Sequence, residues 1–385
     1  MAELRSGWNR VKFGRIAECV NDRVDDPASA GVERYVGLEH LDPESLTIRR
    51  WGAPDEVEST KLRFKPGDII FGKRRAYQRK LGVADFEGIC SAHAMVLRAR
   101  PGNVVPEFLP FLMQSNIFME RAVEISVGSL SPTINWKTLA EQEFALPPLE
   151  EQRRIAALLR AQCDVGDKYA ALADASSTTR RALGKQFFIS APEGRQSTIG
   201  RLADIRNGTT PRRNIDAYWG GTIPWLPTGK VNERRITTAD EFITDKALQE
   251  CSLGGILPTG TCLVAMIGEG ITRGKVARLE LPACINQNFA AVVPGEGIDS
   301  WYLFYYLESH YESLRRWSQG TNQQALNCSL VRAFPIFVPA LARQREIANS
   351  LRELDERHLL ATARLQEARS QLRQILTHLL SQGKI

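Results

Sequence analysis

Residues 128–160 read GSLSPTINWKTLAEQEFALPPLEEQRRIAALLR, and residues 320–352 read GTNQQALNCSLVRAFPIFVPALARQREIANSLR. The second stretch lies over the first at a constant offset of 192 without a gap. Gly128/Gly320, Asn135/Asn327, Pro147/Pro339, Gln152/Gln344, Arg153/Arg345, Ile155/Ile347 and Leu159/Leu351 are among the matches. A shared register of that length marks an internal repeat, and a repeat decides the architecture before any motif does. Weaker echoes occur with small shifts. Gly14-Arg15-Ile16-Ala17-Glu18 resembles Gly200-Arg201-Leu202-Ala203-Asp204, and YVGLEHLDPESLTI from Tyr35 parallels IPWLPTGKVNERRI from Ile223. The chain reads as two copies of one module.

Each copy opens with short apolar runs of β type between Gly and Pro turns, such as Asp68–Phe71 and Cys262–Ile267. An amphipathic helix is expected near 107–126 and another near 299–318. Pro147-Pro148 and Pro339 then close the globular part, because proline fixes φ and biases the preceding residue away from helix. Beyond Ile347 the apolar positions Leu351, Leu354, Ala361, Leu365, Ala368, Leu372, Ile375 and Leu379 alternate spacings of four and three, with His358 as the polar member. That spacing is the seam of a helix packed along another helix. In the first copy the best stripe is Ile155, Leu158, Val165, Tyr169, Leu172 and Leu183. If the modules are equivalent, the second helix runs back along the first. The expected fold is therefore α+β: two mixed α/β domains separated by two long antiparallel helices, a coiled-coil-like spacer with pseudo-two-fold symmetry. The expected boundaries are 1–147 and 191–338 for the domains, and 148–190 and 339–385 for the helices.

The 385 residues carry 50 Lys and Arg against 44 Asp and Glu, a formal charge of +6. With 43% hydrophobic and 24% charged residues this is globular composition, so a mainly disordered or fibrous chain is excluded. The small positive excess permits a nucleic-acid partner without demanding one. Seven scattered cysteines without a C-x-x-C pair read as reduced thiols, not as a disulfide framework or zinc site. The opening MAELRSGWNRVKFGR lacks an apolar signal region, and runs such as Thr261–Ile267 are too short to span a bilayer. A soluble cytoplasmic protein with no membrane partner is expected.

Two spaced heads suit a ligand that repeats at their spacing, as duplex DNA does over one helical turn of about 34 Å. Lys73-Arg74-Arg75-Ala76-Tyr77-Gln78-Arg79-Lys80 concentrates cations and a tyrosine directly after the strand at Ile69–Phe71. At the matching place in copy two lies Gly268-Glu269-Gly270-Ile271-Thr272-Arg273-Gly274-Lys275. Glycines allow close approach to a phosphate backbone, while Arg and Lys neutralise phosphates or read guanine edges. Lys73, Arg74, Arg75, Tyr77, Arg79, Thr272, Arg273 and Lys275 are thus candidate DNA-binding residues, and the turn at Arg212 and Arg213 adds a further basic pair. A solvated charge run is the competing reading of any single cluster. Amide and hydroxyl donors in Ser129–Thr133 and in Thr321–Gln324 with Gln319 also suit base edges.

Catalytic signatures are missing. No Lys has an Asp or Glu two positions before it, as a PD-(D/E)xK nuclease requires, and the only Pro-Pro sits in ALPPLEE, outside an Asn-Pro-Pro-Tyr/Phe methyltransferase motif. Gly268 to Gly274-Lys275 has one residue too many for a phosphate-binding loop, and Val276 replaces its hydroxyl. H-E-x-x-H and G-x-S-x-G are absent, and the five histidines are dispersed.

LPPLEEQRRI, repeated as VPALARQREI and each time opening a long helix after a globular domain, resembles the DNA specificity subunit (HsdS) of type I restriction–modification systems. Tyr35-Val36-Gly37-Leu38-Glu39 and Ile223-Pro224-Trp225-Leu226 look like that family's opening motif. Copy two departs at Ala340 and Ala342, where copy one has Pro148 and Glu150. The resemblance implies two target-recognition domains that read a bipartite asymmetric site in double-stranded DNA. It implies a non-catalytic subunit that recruits methyltransferase subunits (HsdM, expected to be two) and restriction/translocase subunits (HsdR). No cofactor is implied here: S-adenosylmethionine, ATP and Mg²⁺ would belong to the partner subunits. A coiled-coil assembly scaffold and a stand-alone DNA-modifying enzyme are the other two readings of the sequence.

Overall fold

The computed structural model describes residues 4–268, 270–317 and 325–381. The chain divides into two compact units. One comprises the residues up to Leu172 together with those from Leu360 on; the other is Ala173–Leu359.

In the first unit, the apolar run after Asp68 forms the strand Ile69–Gly72, buried throughout. It pairs antiparallel with Leu81–Val83 on one side and Ala94–Ala99 on the other, and Ala17–Val20 closes this four-stranded sheet. Side chains alternate across a strand. Ile69 and Phe71 accordingly enter one core with Phe13, Phe108 and Phe118. Ile70 enters a second core with Val36, Phe64 and Val96. A second sheet has the order Arg23–Val24, Lys61–Phe64, Gly88–Ser91, Tyr35–Val36, and its last pair is parallel. Asn9–Lys12 pairs antiparallel with Glu143–Leu146 just before the first long helix.

The second unit repeats this plan. Cys262–Ala265 is again buried on both faces, with Cys262 and Val264 in one core and Leu263 and Ala265 in another. It lies between Phe289–Pro294 and Val276–Leu279 in a five-stranded sheet completed by Ala203–Asn207 and Arg235–Ile236. The registers agree: Ala17↔Ala99 and Ile69↔Leu97 have counterparts in Ala203↔Pro294 and Cys262↔Val292. Val36↔Cys90 corresponds to Leu226↔Ile285, so Tyr35 matches Trp225 rather than Ile223.

The helix expected over 107–126 is two helices, Leu109–Gln114 and Asn116–Glu124. Ser115 makes the break. Its backbone is extended, its Oγ donates to the Leu112 carbonyl at 2.6 Å, and the same oxygen accepts the Phe118 N–H at 3.3 Å. One serine ends the first helix and caps the second. The region near 299–318 is likewise split into Ser300–Ser309 and Tyr311–Trp317, with His310 between them and its ring stacked 4.2 Å from that of Tyr306.

The long helices are Leu149–Lys185 and Leu341–Ser381, each starting two residues after Pro147 or Pro339. At about 1.5 Å per residue these are roughly 55 and 60 Å long. The expected stripe of the first helix is corrected by the structure. Leu158, Val165 and Leu172 are 53%, 44% and 47% exposed. The inward face is instead Ile155, Leu159, Gly166, Ala170, Ala173 and Ser176. Small residues bring another helix backbone close; a Cβ on Gly166 would lie 3.7 Å from Leu365. On the second helix Leu351 and Ala361 are buried as expected, at 1% exposure each, but Asp355, at 2%, is buried in place of the expected Leu354. In the first unit Gln162 Nε2 donates to the Ala368 carbonyl at 3.3 Å and to Gln371 Oε1 at 3.1 Å. In the second unit the His358 ring lies 2.9 Å from the Ala173 carbonyl, and Arg180 meets Asp355 at 3.0 Å. A buried network completes that region: Arg234 reaches both Asp355 and Glu308, and the Tyr305 hydroxyl donates to Asp355 at 2.8 Å.

Candidate nucleic-acid interface

Five of the ten candidate residues sit on the connection between Ile69–Gly72 and Leu81–Val83. The Gly72 N–H donates to the Lys80 carbonyl at 2.9 Å, so the loop is a closed hairpin. Arg75 (φ 59°) and Arg79 (φ 52°) are left-handed around a short 3₁₀ turn at Ala76–Gln78. Arg79 is held inward: it donates to the Gln114 carbonyl and, at 3.0 Å, to Asn116 Oδ1, and lies 3.6 Å from Glu44. Burial pushes its guanidinium pKa down, against the opposing effect of Glu44. Lys80 likewise donates inward to the Leu38 carbonyl at 2.7 Å. Lys73 lines an open groove of about 610 Å³ with Cys19, Asn21, Met95, Thr133 and Asn135. Arg75 and Tyr77 are exposed, while the Arg74 guanidinium lies 3.4 Å from His93 Nε2. The loop therefore has an anchoring side, Arg79 and Lys80, and a presenting side, Arg74, Arg75 and Tyr77.

A second hairpin, 127–133, rests on this loop. Ile134 N–H donates to the Lys73 carbonyl at 3.0 Å, and Arg75 N–H donates to the Pro132 carbonyl at 2.8 Å. Arg75 Nη2 also donates to Ser131 Oγ at 3.3 Å. Ser129–Thr133 thus lies beside the arginines. The counterpart at Gln319 and Thr321–Gln324 falls outside the described residues.

Thr272, Arg273 and Lys275 lie on the equivalent hairpin of the second unit, between Cys262–Ala265 and Val276–Leu279. Here glycine is required: Gly274 (φ 83°) would bring a Cβ to 3.2 Å from the Tyr311 carbonyl and the Arg315 backbone nitrogen. Lys275 donates to Asn232 Oδ1 at 2.7 Å, and its own N–H reaches the Thr272 carbonyl at 3.0 Å. Arg273 is half-buried and Ile271 is exposed. Hydrogen-bond register shows which positions correspond. The Lys275 carbonyl receives Ala265 N–H as the Lys80 carbonyl receives Gly72 N–H, and the Met266 carbonyl receives Leu326 N–H as that of Lys73 receives Ile134 N–H. Lys80 and Lys275 share a position, whereas Lys73 is replaced by Met266. The loops are equivalent; most of their cations are not.

Arg212 and Arg213 occupy a separate turn. Arg213 pairs with Glu241 and stacks 3.9 Å over the Trp219 ring, so much of its charge is engaged within the protein. Arg212 is exposed, and its carbonyl accepts the Trp219 indole N–H at 3.2 Å.

Among the described residues no three or more His, Cys, Asp or Glu side chains are grouped to hold a metal, and no helix is long and apolar enough to cross a membrane. The cysteines are unpaired, and burial pushes the Cys90 and Cys262 thiols up to about 12. Such thiols stay protonated and are poor nucleophiles.

The family model for the type I restriction modification DNA specificity domain matches residues 54–163 and 193–369. The chain is 33% identical over 163 residues to the MjaIX specificity subunit of Methanocaldococcus jannaschii, covering 41% of this chain and 37% of that protein. It is 30% identical over 200 residues to the EcoDI specificity subunit of Escherichia coli, covering 49% of this chain and 43% of the other. The matched stretch is thus less than half the length of either curated relative. Among solved structures, the S subunit of a type I restriction–modification system from M. genitalium superposes with a TM-score of 0.64 at 14% identity, covering 97% and 96% of the two chains. A chain from a type I system studied for complex assembly and conformational transition gives 0.56 at 21% identity, covering 100% and 99%. These likenesses place the fold.

Proposed function

This chain belongs to the type I restriction modification DNA specificity family, and from that premise we propose that it is the DNA-binding specificity subunit of a restriction–modification complex. Each unit reads one half of a bipartite asymmetric site in duplex DNA. The observation that carries this reading is the repeated hairpin: in both units the strand buried between two cores runs out into a basic loop at the same register position. Lys73, Arg74, Arg75 and Tyr77 in one unit, and Thr272, Arg273 and Lys275 in the other, face the DNA, and Arg212 adds a further cation from its own turn. Arg79 and Arg213 act by holding their loops. The long helices form an antiparallel spacer between recognition domains at 1–147 and 191–338, giving the chain pseudo-two-fold symmetry. The pairs Gln162–Gln371 and Gly166–Leu365 in the first unit, and Ala173–His358 and Arg180–Asp355 in the second, support that direction, since within each unit the numbering rises along one helix as it falls along the other. The exposed apolar residues Leu158, Val165 and Leu172, seven apart, support docking of two methyltransferase subunits along the helices, with restriction subunits added to that assembly. The chain itself is non-catalytic and binds no cofactor; S-adenosylmethionine, ATP and Mg²⁺ belong to its partners in the cytoplasm.

The test is binding of the complex to its cognate duplex. Replacing Arg74 and Arg75 with Ala should weaken binding and lower the slope of log affinity against log salt by about 0.9 for each phosphate no longer neutralised. Unchanged affinity and slope would remove the basic loop from the interface.

A further inference from the structure

The hairpin 127–133 is anchored more firmly than a surface turn needs. Val127 and Thr133 exchange both backbone hydrogen bonds, at 3.0 and 2.9 Å, and Gly128 turns the chain at φ 116°. Thr133 Oγ1 donates to the Ser131 carbonyl at 3.1 Å, and the base of the hairpin is bonded to Lys73 and Arg75. At its tip stands Leu130, 92% exposed, the most exposed large apolar side chain among the described residues. A single surface leucine is ordinary. This one is different in being held away from the core on a hydrogen-bonded tip, between two serines, one of which accepts from the Arg75 guanidinium.

We propose that Leu130 is an apolar specificity residue of the first unit: it enters a groove of duplex DNA and packs against base edges, while Arg74 and Arg75 hold the flanking phosphates. The inference rests on the DNA-reading function proposed above. The major groove, about 12 Å wide, admits a two-stranded tip, and contact with a thymine methyl is a recognised form of base readout. Serine hydroxyls on either side of Leu130 can satisfy neighbouring polar base edges. Phosphate contacts carry no sequence information directly, so the arginines need such a companion to give sequence preference.

The experiment uses the full chain assembled with its methyltransferase subunits. The wild type, Leu130→Ala and the Arg74→Ala/Arg75→Ala double variant are bound to duplexes in which each base pair of the half-site is changed singly, and each thymine is also replaced by deoxyuridine. Leu130→Ala should bind the cognate site about tenfold more weakly and lose preference at one or two adjacent base pairs. Its salt slope should match the wild type, and its thermal unfolding should be unchanged because the side chain is exposed. The arginine variant should weaken all duplexes together with a lower slope. Full retention of preference by Leu130→Ala, a uniform weakening with a lower slope, or a failure to associate with methyltransferase subunits in its place would overturn the assignment. Absence of any sequence preference in the wild-type complex would instead reject the DNA-reading function itself.

Discussion

Gln152, buried in the first turn of the first long helix, donates its side-chain amide to the Pro147 carbonyl at 2.9 Å. Its Oε1 accepts the Val105 backbone N–H at 2.9 Å, so one side chain satisfies groups on the domain and on the junction. Gln344 does the same in the second unit, donating to Pro339 at 3.0 Å and accepting from Asp299 at 2.9 Å. The repeated glutamine is therefore a joint between a recognition domain and its helix, fixing the direction in which the helix leaves.

Gln152→Leu keeps the volume but strands a buried N–H and a carbonyl, each worth about 1–3 kcal/mol. The variant should lose about 3 kcal/mol in urea unfolding followed by a probe in the first unit, with Gln344→Leu acting likewise on the second. A change below about 0.5 kcal/mol in both, the scale of a surface substitution, would show that the joint is dispensable.

Asp355 predicts a second, larger effect. It is 2% exposed and paired with Arg180 and Arg234, and Asp355→Ala leaves both cations without that partner. Breaking a buried pair costs about 3–5 kcal/mol, whereas Tyr305→Phe, which removes one hydrogen bond to the same carboxylate, should cost about 1–2 kcal/mol. Equal effects of the two substitutions in denaturant unfolding would contradict this ranking.

His310 supplies a pH dependence. Burial holds its imidazole below the ordinary value of 6.5, opposed by its contact with the Tyr306 carbonyl. As pH falls the unfolded chain binds the proton first, so stability is full above about 6.5 and declines as pH drops through the lower folded value. The urea midpoint of the second unit should fall between about pH 7.5 and 5.5, and His310→Gln should flatten that decline. Identical pH profiles for the two proteins would rule the histidine out as the source.

Much of the architecture is legible in the sequence because repetition and proline leave marks in one dimension. The offset of 192 predicts equivalent sheets, and Pro147 and Pro339 predict both helix starts. What stays hidden depends on side chains acting against their usual signal. Ser115 ends one helix by capping the next, which a hydrophobic stripe running through it conceals. The inner face of the first long helix is made of Gly166, Ala170, Ala173 and Ser176, so its large apolar residues mark the outer face instead. Asp355 is buried only because Arg180 and Arg234 reach it from distant parts of the second unit. Within the basic loop, residue type alone does not separate Arg79, which anchors, from Arg75, which is presented.

The outward stripe gives its own prediction. Replacing Leu158, Val165 and Leu172 with Ser should alter stability by no more than about 0.5 kcal/mol per site, because these side chains are half-exposed. Affinity for the methyltransferase subunits, measured by sedimentation or calorimetry, should fall by about 1 kcal/mol or more for the central residue. Undiminished association would place the docking surface elsewhere.

Methylation sequencing reads out the proposed recognition of two half-sites by two units joined by a helical spacer. Cells expressing this chain with its methyltransferase subunits should carry methylated adenines in a bipartite motif. Inserting four residues into each long helix, about one turn or 6 Å, should keep both half-sites and lengthen the gap by about two base pairs. A continuous motif, or a bipartite motif whose gap ignores the insertion, would contradict the account.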